Sequence, residues 1–163
     1  MYGRYSERAQ RVIIRAQDVA RRLGFDWAGT EHLLLGLIDE GQGIAAIALR
    51  RLGVDLDQSR AEMERALGRG DATSRGEVKF TPRGRHVIMD LAIDEARAFG
   101  HAYVGTEHLL LGLLAEAECA AARTLALQGA TLERVRALVP ELLGGGPASA
   151  GPPSAPGPQP TAP

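Results

Sequence analysis

The stretch GTEHLLLGL occupies residues 29–37 and recurs, letter for letter, at residues 105–113, 76 positions further along a chain of 163 residues. The agreement continues on both sides of these blocks in the same order along the chain. At the same offset, Ala20-Arg21 matches Ala96-Arg97, Gly53 matches Gly129, and Leu67-Gly68 matches Leu143-Gly144. Self-similarity over this length at a fixed period indicates a duplicated structural unit. The chain is therefore predicted to contain two copies of one unit.

The two copies differ in length by one residue near their beginnings. Upstream of Val12 the better offset is 75, so the second copy has one additional residue between Thr81 and Ala92. Within an α-helix an added residue would rotate the apolar face by about 100°. We therefore expect it to be absorbed either in the first helical turn, near Gly84, or as a π-bulge.

The composition limits the class of protein. Hydrophobic residues make up 45% of the chain but aromatic residues only 4%, which favours a helical core of Leu, Ala, Val and Ile over a β-sandwich. A net charge of −1 argues against a nucleic-acid partner. The single cysteine, the absence of a long apolar run and a polar beginning predict a cytoplasmic protein that does not enter the membrane.

Each copy is predicted to form four helices, which gives an all-α chain of about eight helices in a pseudo-two-fold tandem. In the first copy we place the helices at 7–22, 31–39, 43–52 and 56–67, with Ser6 and Thr30 as N-caps. The second copy has matching caps at Thr81 and Thr106, and Pro140 is expected to kink or restart its last helix. The resulting boundaries are repeat one at about 5–68, a linker at 69–79, repeat two at about 80–144, and a disordered Pro/Gly/Ala-rich tail at 145–163.

The adjacent Glu and His of each repeated block do not predict a metal site or a cofactor. Neighbouring residues on a helix point about 100° apart, so Glu31 and His32 cannot bind one metal ion together. A zinc helix would need two histidines four residues apart, which the chain lacks. We expect His32 and His108 to be hydrogen-bonded structural residues, and Gly36 and Gly112 to mark close helix packing.

Several motifs together resemble a known family. SERAQ at residues 6–10, the paired GTEHLLLGL blocks and FTPR at residues 80–83 are similar to the double Clp repeat of the N-terminal domain of Clp-family AAA+ unfoldases, of the ClpC type. The resemblance covers residues 1–144. It implies an all-α pseudo-dimer of two four-helix repeats that receives substrates and adaptor proteins. Because no ATPase or peptidase motif occurs in the chain, we expect a non-catalytic module that acts with a ClpC-type unfoldase.

The resemblance also suggests a ligand, since some ClpC-type domains recognise arginine-phosphorylated proteins. A hydroxyl-capped helix N-terminus suits the phosphoryl group, and a carboxylate suits the guanidinium group. Each copy offers both, so we expect pockets at Ser6 with Glu31 and at Thr81 with Glu107. The alternative is that these four residues act only as helix caps and dipole partners.

The role of three aromatic residues has two alternatives. Tyr2, Tyr5 and Phe80 are expected either to form an apolar docking patch or to seal the boundary between the repeats.

The sequence leaves two functions open besides a binding module. One alternative function is a small hydrolase that uses a metal ion or His32 or His108. The other is a structural duplicated domain whose pockets have decayed.

Overall fold

The computed structural model describes residues 3–72 and 76–144. In the first repeat, helix α1 spans Glu7–Arg22, α2 Thr30–Glu40, α3 Ile44–Arg51 and α4 Leu56–Leu67. These bounds agree with the predicted helices to within one residue at each end. Ser6 caps α1 by accepting a hydrogen bond from the amide of Ala9, and Asp55 caps α4 in the same way.

The second repeat has the same order of elements. Its first helix is a continuous run made of α5 (Pro82–His86), a π-helical segment (Val87–Leu91) and α6 (Ala92–Ala98), followed by α7 (Thr106–Ala115), α8 (Ala120–Leu127) and α9 (Leu132–Gly144). If this run is counted once, the described residues contain the predicted eight helices. Helix α9 continues through Pro140, so the predicted restart there is wrong.

The additional residue of the second repeat is absorbed by the π-helical segment. The amide of Ala92 donates to the carbonyl of Val87, five residues earlier, and the next carbonyl, that of Ile88, accepts from the Tyr5 hydroxyl at 2.7 Å. Of the two predicted ways to accommodate this residue, the π-bulge is confirmed. The insertion leaves the rest of the helix in register with α1.

The two glycines inside the GTEHLLLGL helices allow backbone atoms to approach closely, as predicted. A Cβ atom on Gly36 of α2 would lie 2.6 Å from the carbonyl oxygen of Val12 in α1. A Cβ atom on Gly112 of α7 would lie 2.8 Å from the amide nitrogen of Ala92. In both repeats the first and second helices therefore pack at a separation that no other residue type permits.

Short parallel strand pairings connect the two repeats. Strand β1 (Trp27–Ala28) pairs with β2 (Lys79–Phe80) in the register Trp27↔Lys79 and Ala28↔Phe80, and Tyr5 makes the equivalent parallel bridge to Val104. Each pairing joins the chain just before the first helix of one repeat to the chain just before the second helix of the other. The start of each first helix is therefore placed beside the GTEHLLLGL helix of the opposite repeat.

The core is continuous across the two repeats. Helices α2 and α7 are buried almost throughout, including all of their leucines. Within the described residues no single helix is long and apolar enough to span a membrane, and α2 with α3 meets that criterion only as a pair bent by 91°. The predicted tail at 145–163 lies outside the described residues.

Candidate ligand-binding cavity between the repeats

The predicted pairing of the four candidate ligand residues is wrong, because the structure brings each hydroxyl residue next to the glutamate of the opposite repeat. Ser6 and Glu107 line one cavity of about 660 Å³, which we call the inter-repeat cavity. A Cβ atom on Gly29 would lie 3.3 Å from the Glu31 carboxylate and 3.7 Å from the Thr81 hydroxyl oxygen, so Thr81 lies near Glu31. The crossed strand pairings cause this exchange of partners.

Three helix N-termini converge on the inter-repeat cavity. Its lining includes Ser6 at the start of α1, Gly43 at the start of α3, and Gly105 at the start of α7. Each helix N-terminus carries partial positive charge from the aligned peptide dipoles of its helix. Arg8 and Arg11 also line the cavity, which therefore combines several features that stabilise an anion.

The two arginines differ in whether they form an ion pair within the protein. Arg8 forms an ion pair with the buried Glu40 at 2.8 Å, and Glu40 in turn accepts from the amides of Gln42 and Gly43. Arg11 forms no ion pair with any residue in the described part of the chain. Arg11 is thus the cation that remains available to a ligand.

Thr106 caps a helix of the opposite repeat and not its own. The N-cap position of α7 is Gly105, and the Thr106 hydroxyl accepts from the amide of Ala45 at 3.1 Å, which satisfies the start of α3. A side chain on Gly43 would collide with Thr106. Thr30 is likewise the first residue of α2 and not its N-cap, so the predicted capping of their own helices by both threonines is wrong.

His32 and His108 supply the capping instead. Each Nδ1 atom accepts from the amide of the N-cap glycine, at 3.0 Å from Gly29 and 2.8 Å from Gly105. This is the role that Glu or Gln plays at the third helical position of a capping box. The structural, hydrogen-bonded role predicted for both histidines agrees with this geometry.

The far nitrogen of each histidine has a different environment in the two repeats. Because Nδ1 of His108 accepts a hydrogen bond, its Nε2 carries the proton and donates to Nδ1 of His101 at 2.9 Å. In the first repeat Phe25 occupies the position of His101, its ring 5.2 Å from that of His32, and His32 Nε2 has no hydrogen-bond partner among the described residues. Burial lowers the pKa of His108 to about 3 and also lowers that of His32.

One group of side chains brings three metal-ligand atoms together, but its hydrogen bonds do not suit a metal ion. Atoms of His101, Glu107 and His108 lie within 4.8 Å of one another. A metal ion on Nε2 of His108 would require the proton to move to Nδ1, where it would face the amide of Gly105. Metal binding would therefore break the hydrogen bond by which His108 caps α7. This argues against a metal-dependent hydrolase at this site.

The two candidate carboxylates are not equivalent. Glu107 is only 3% exposed and accepts from the Tyr103 hydroxyl at 3.0 Å, and burial raises the pKa of its carboxyl group. Glu31 is half-buried. Trp27, which corresponds to Tyr103, is 52% exposed and has no hydroxyl group. The carboxylate in the inter-repeat cavity thus accepts from a tyrosine hydroxyl that its counterpart lacks, whereas Glu31 accepts from the Thr30 hydroxyl at 3.4 Å.

Of the two alternatives for the aromatic residues, the described ones fit the sealing role, because Tyr5 and Phe80 are both buried. Tyr5 is 4% exposed and its hydroxyl bonds to the π-helical segment, so Tyr5 seals the boundary between the repeats. Phe80 lines a second cavity of about 320 Å³ together with Gln17, Ile88 and Met89. Tyr2 lies outside the described residues.

Sequence reasoning did not identify several residues of the inter-repeat cavity. These are Arg8, Arg11, Gly43 and Tyr103. The sequence did contain a signal for Gly43. A glycine just before a helix often marks a place where another group comes close to the backbone, and the second repeat has a cysteine, Cys119, at this position. No comparable signal exists for Tyr103, because its contact with Glu107 depends on how the loop before α7 folds.

Comparison with known proteins agrees with the fold and the repeat. Residues 4–90 and 79–163 each match the family described as the Clp repeat (R) N-terminal domain. The negative regulator of genetic competence ClpC/MecB of Bacillus subtilis is 51% identical over 144 residues, which are 88% of this chain but 18% of that protein. The chain therefore spans about a fifth of the length of this relative.

Solved structures show the same architecture. The N-terminal domain of the chaperone ClpD from Arabidopsis thaliana superposes with a TM-score of 0.68 at 28% identity, covering 88% of this chain and 96% of that one. A ClpV N-domain in complex with a VipB peptide has a TM-score of 0.63 at 17% identity, covering 85% of this chain and 86% of that one. At that identity the ClpV likeness shows the fold alone.

Proposed function

Because the chain belongs to the Clp repeat N-terminal domain family, we propose that it is a non-catalytic binding module of the Clp protease system. It takes substrates, adaptor proteins or arginine-phosphorylated segments and thereby modulates a ClpC-type unfoldase. A ClpV N-domain of the same fold has been solved with a bound peptide, which supports a peptide-binding role. The ligand enters the inter-repeat cavity.

The observation that carries the proposal is that groups suited to an anion and a group suited to a cation line the same cavity. Phosphoarginine has an anionic phosphoryl group on a cationic guanidinium group. The helix N-termini at Ser6 and Gly43, together with Arg11, complement the phosphoryl group. Glu107, on the same cavity wall, complements the guanidinium group. A volume of about 660 Å³ is ample for one such side chain and its flanking backbone.

The pseudo-equivalent site near Thr81 and Glu31 is less suited to an anion. His86 stands at the position of Arg11 and is bonded to Asp90 at 2.8 Å, and Glu118 stands at the position of Gln42. Pro82, at the position of Glu7, has no amide hydrogen to offer. The inter-repeat cavity is therefore the principal phosphoarginine site in this proposal.

The ligand can be tested by calorimetry with a peptide that contains one phosphoarginine and with the same peptide unphosphorylated. We expect the phosphorylated peptide to bind more tightly, and Arg11→Gln to weaken it by about tenfold, the effect of one charge-assisted hydrogen bond. Arg15→Gln, a change on the same helix outside the cavity lining, is the matched control. Equal affinity for the two peptides would refute phosphoarginine recognition.

The partner can be tested separately from the ligand. Immobilised protein should retain a ClpC-type unfoldase or its adaptors from a lysate and should alter the ATPase rate of the purified unfoldase. A folded protein that binds neither peptide and retains no Clp component would favour the alternative of a duplicated domain with decayed pockets.

A further inference from the structure

Tyr103 occupies the part of the inter-repeat cavity that a guanidinium group would need. Its hydroxyl donates to Oε2 of Glu107 at 3.0 Å, and both residues line the cavity. Glu107 is 3% exposed, so few other directions of approach to its carboxylate exist. The free protein thus satisfies this carboxylate with a donor of its own.

The position of Tyr103 is fixed by the histidine pair behind it. Its ring stacks on that of His101 with centroids 5.2 Å apart and planes 14° apart, and it meets the ring of His108 edge-on at 5.3 Å. His101 is itself bonded to His108 at 2.9 Å, and His108 caps α7. The hydroxyl is therefore presented to Glu107 by a rigid support and not by a freely rotating side chain.

A guanidinium group and a phosphate ion differ in what they require of this site. A guanidinium group pairs best with a carboxylate through two parallel hydrogen bonds, which need both carboxylate oxygens. Tyr103 already bonds to one of them, Oε2, and because Glu107 is 3% exposed there is little room for a second donor to reach the other lone pair of that oxygen. An isolated phosphate ion would be bound by the helix N-termini and Arg11 on the cavity wall and would leave the bond between Tyr103 and Glu107 intact.

We infer that Tyr103 is a specificity-determining residue, an internal donor that a guanidinium-containing ligand must displace from Glu107 before it binds. The inference rests on the proposed function, since it concerns the same cavity. It assigns the two sites different behaviour, because Trp27 at the equivalent position has no hydroxyl group, and Glu31 has instead a longer bond, 3.4 Å, from the neighbouring Thr30 hydroxyl.

The test compares two probes, a phosphoarginine peptide and inorganic phosphate, by calorimetry at pH 8; a basic pH is chosen because burial raises the pKa of the Glu107 carboxyl group. For Tyr103→Phe we expect the affinity for the peptide to rise by about tenfold, because the ligand no longer displaces a hydrogen bond to a charged group. The affinity for phosphate should stay unchanged. Tyr103→Trp, which reproduces the first repeat, should show the same split if the phenylalanine variant is poorly folded, and Trp27→Phe is the matched control.

The outcomes separate this inference from the proposed function. If the wild-type protein binds the peptide and Glu107→Gln weakens it, but Tyr103→Phe binds equally or more weakly, the role of Tyr103 is refuted while the cavity remains the site. If peptide and phosphate affinities both rise in Tyr103→Phe, the discrimination is refuted. If the wild-type protein does not prefer the phosphorylated peptide, the proposed function fails and the inference fails with it.

Discussion

Replacing Gly36 by alanine tests the close packing of α1 against α2. In an isolated helix the change would stabilise by about 1 kcal/mol. Here the new methyl group would lie 2.6 Å from the carbonyl oxygen of Val12 and 3.1 Å from the amide nitrogen of Ala16. Both are backbone atoms of α1, which cannot rotate away, so the overpacking cost should be near the upper end of the usual range, about 3 kcal/mol. The expected net effect is a loss of about 2 kcal/mol.

Urea denaturation followed by circular dichroism measures this loss, and thermal denaturation should show a melting temperature lower by about 4–8 °C. Gly3→Ala is the control, because no atom lies within 4 Å of the added methyl group, and its effect should stay within about 0.5 kcal/mol. If Gly36→Ala proved as stable as the wild type or more stable, the argument that backbone contact requires glycine here would be wrong.

Two further predictions concern buried charge and pH. Arg136→Ala should lower the free energy of unfolding by about 2 kcal/mol in a denaturation experiment, because it leaves the Glu95 carboxylate without its partner. The Glu95 side chain is 8% exposed and accepts two hydrogen bonds from Arg136, at 3.1 and 2.6 Å. Arg97→Ala, on the surface, should cost less than about 0.5 kcal/mol. His108, with a pKa of about 3 in the folded protein against an ordinary value of 6.5, is protonated more readily when unfolded, so its contribution to stability should fall by about 1.4 kcal/mol per pH unit as the pH drops from about 6.5 towards 3. The raised pKa of Glu107 has the opposite sign, stabilising the folded state at low pH and losing that effect as the pH rises. His108→Gln, which can still accept from the N-cap amide, should flatten the acid slope in urea titrations between pH 6 and 4, and an unchanged slope would contradict the assignment.

The repeat, the helix bounds and the presence of an added residue, with a π-bulge as one of two ways to absorb it, were predictable because they depend on local signals. Helix caps, apolar periodicity and the change of offset from 76 to 75 are all properties of neighbouring residues in the chain. The mid-helix glycines were informative for the same reason, since glycine is unfavourable there unless something packs close.

The partners of the candidate ligand residues could not be predicted, because the connection between the repeats decides them. Nothing in the sequence of either copy states that β1 pairs with β2 or that Tyr5 pairs with Val104. Those pairings bring Ser6 to Glu107 and let Thr106 cap α3 of the opposite repeat. Burial of Glu107 follows from the same long-range arrangement.

The central claim, that one ligand site is built from both repeats, is tested most directly by a nuclear magnetic resonance titration of labelled protein with a phosphoarginine peptide. We predict that the largest amide shifts fall together on Ser6 and Gly43 of the first repeat and Gly105 of the second, which line the same cavity. Shifts confined to one repeat, or shifts that leave these three amides unmoved, would contradict the account.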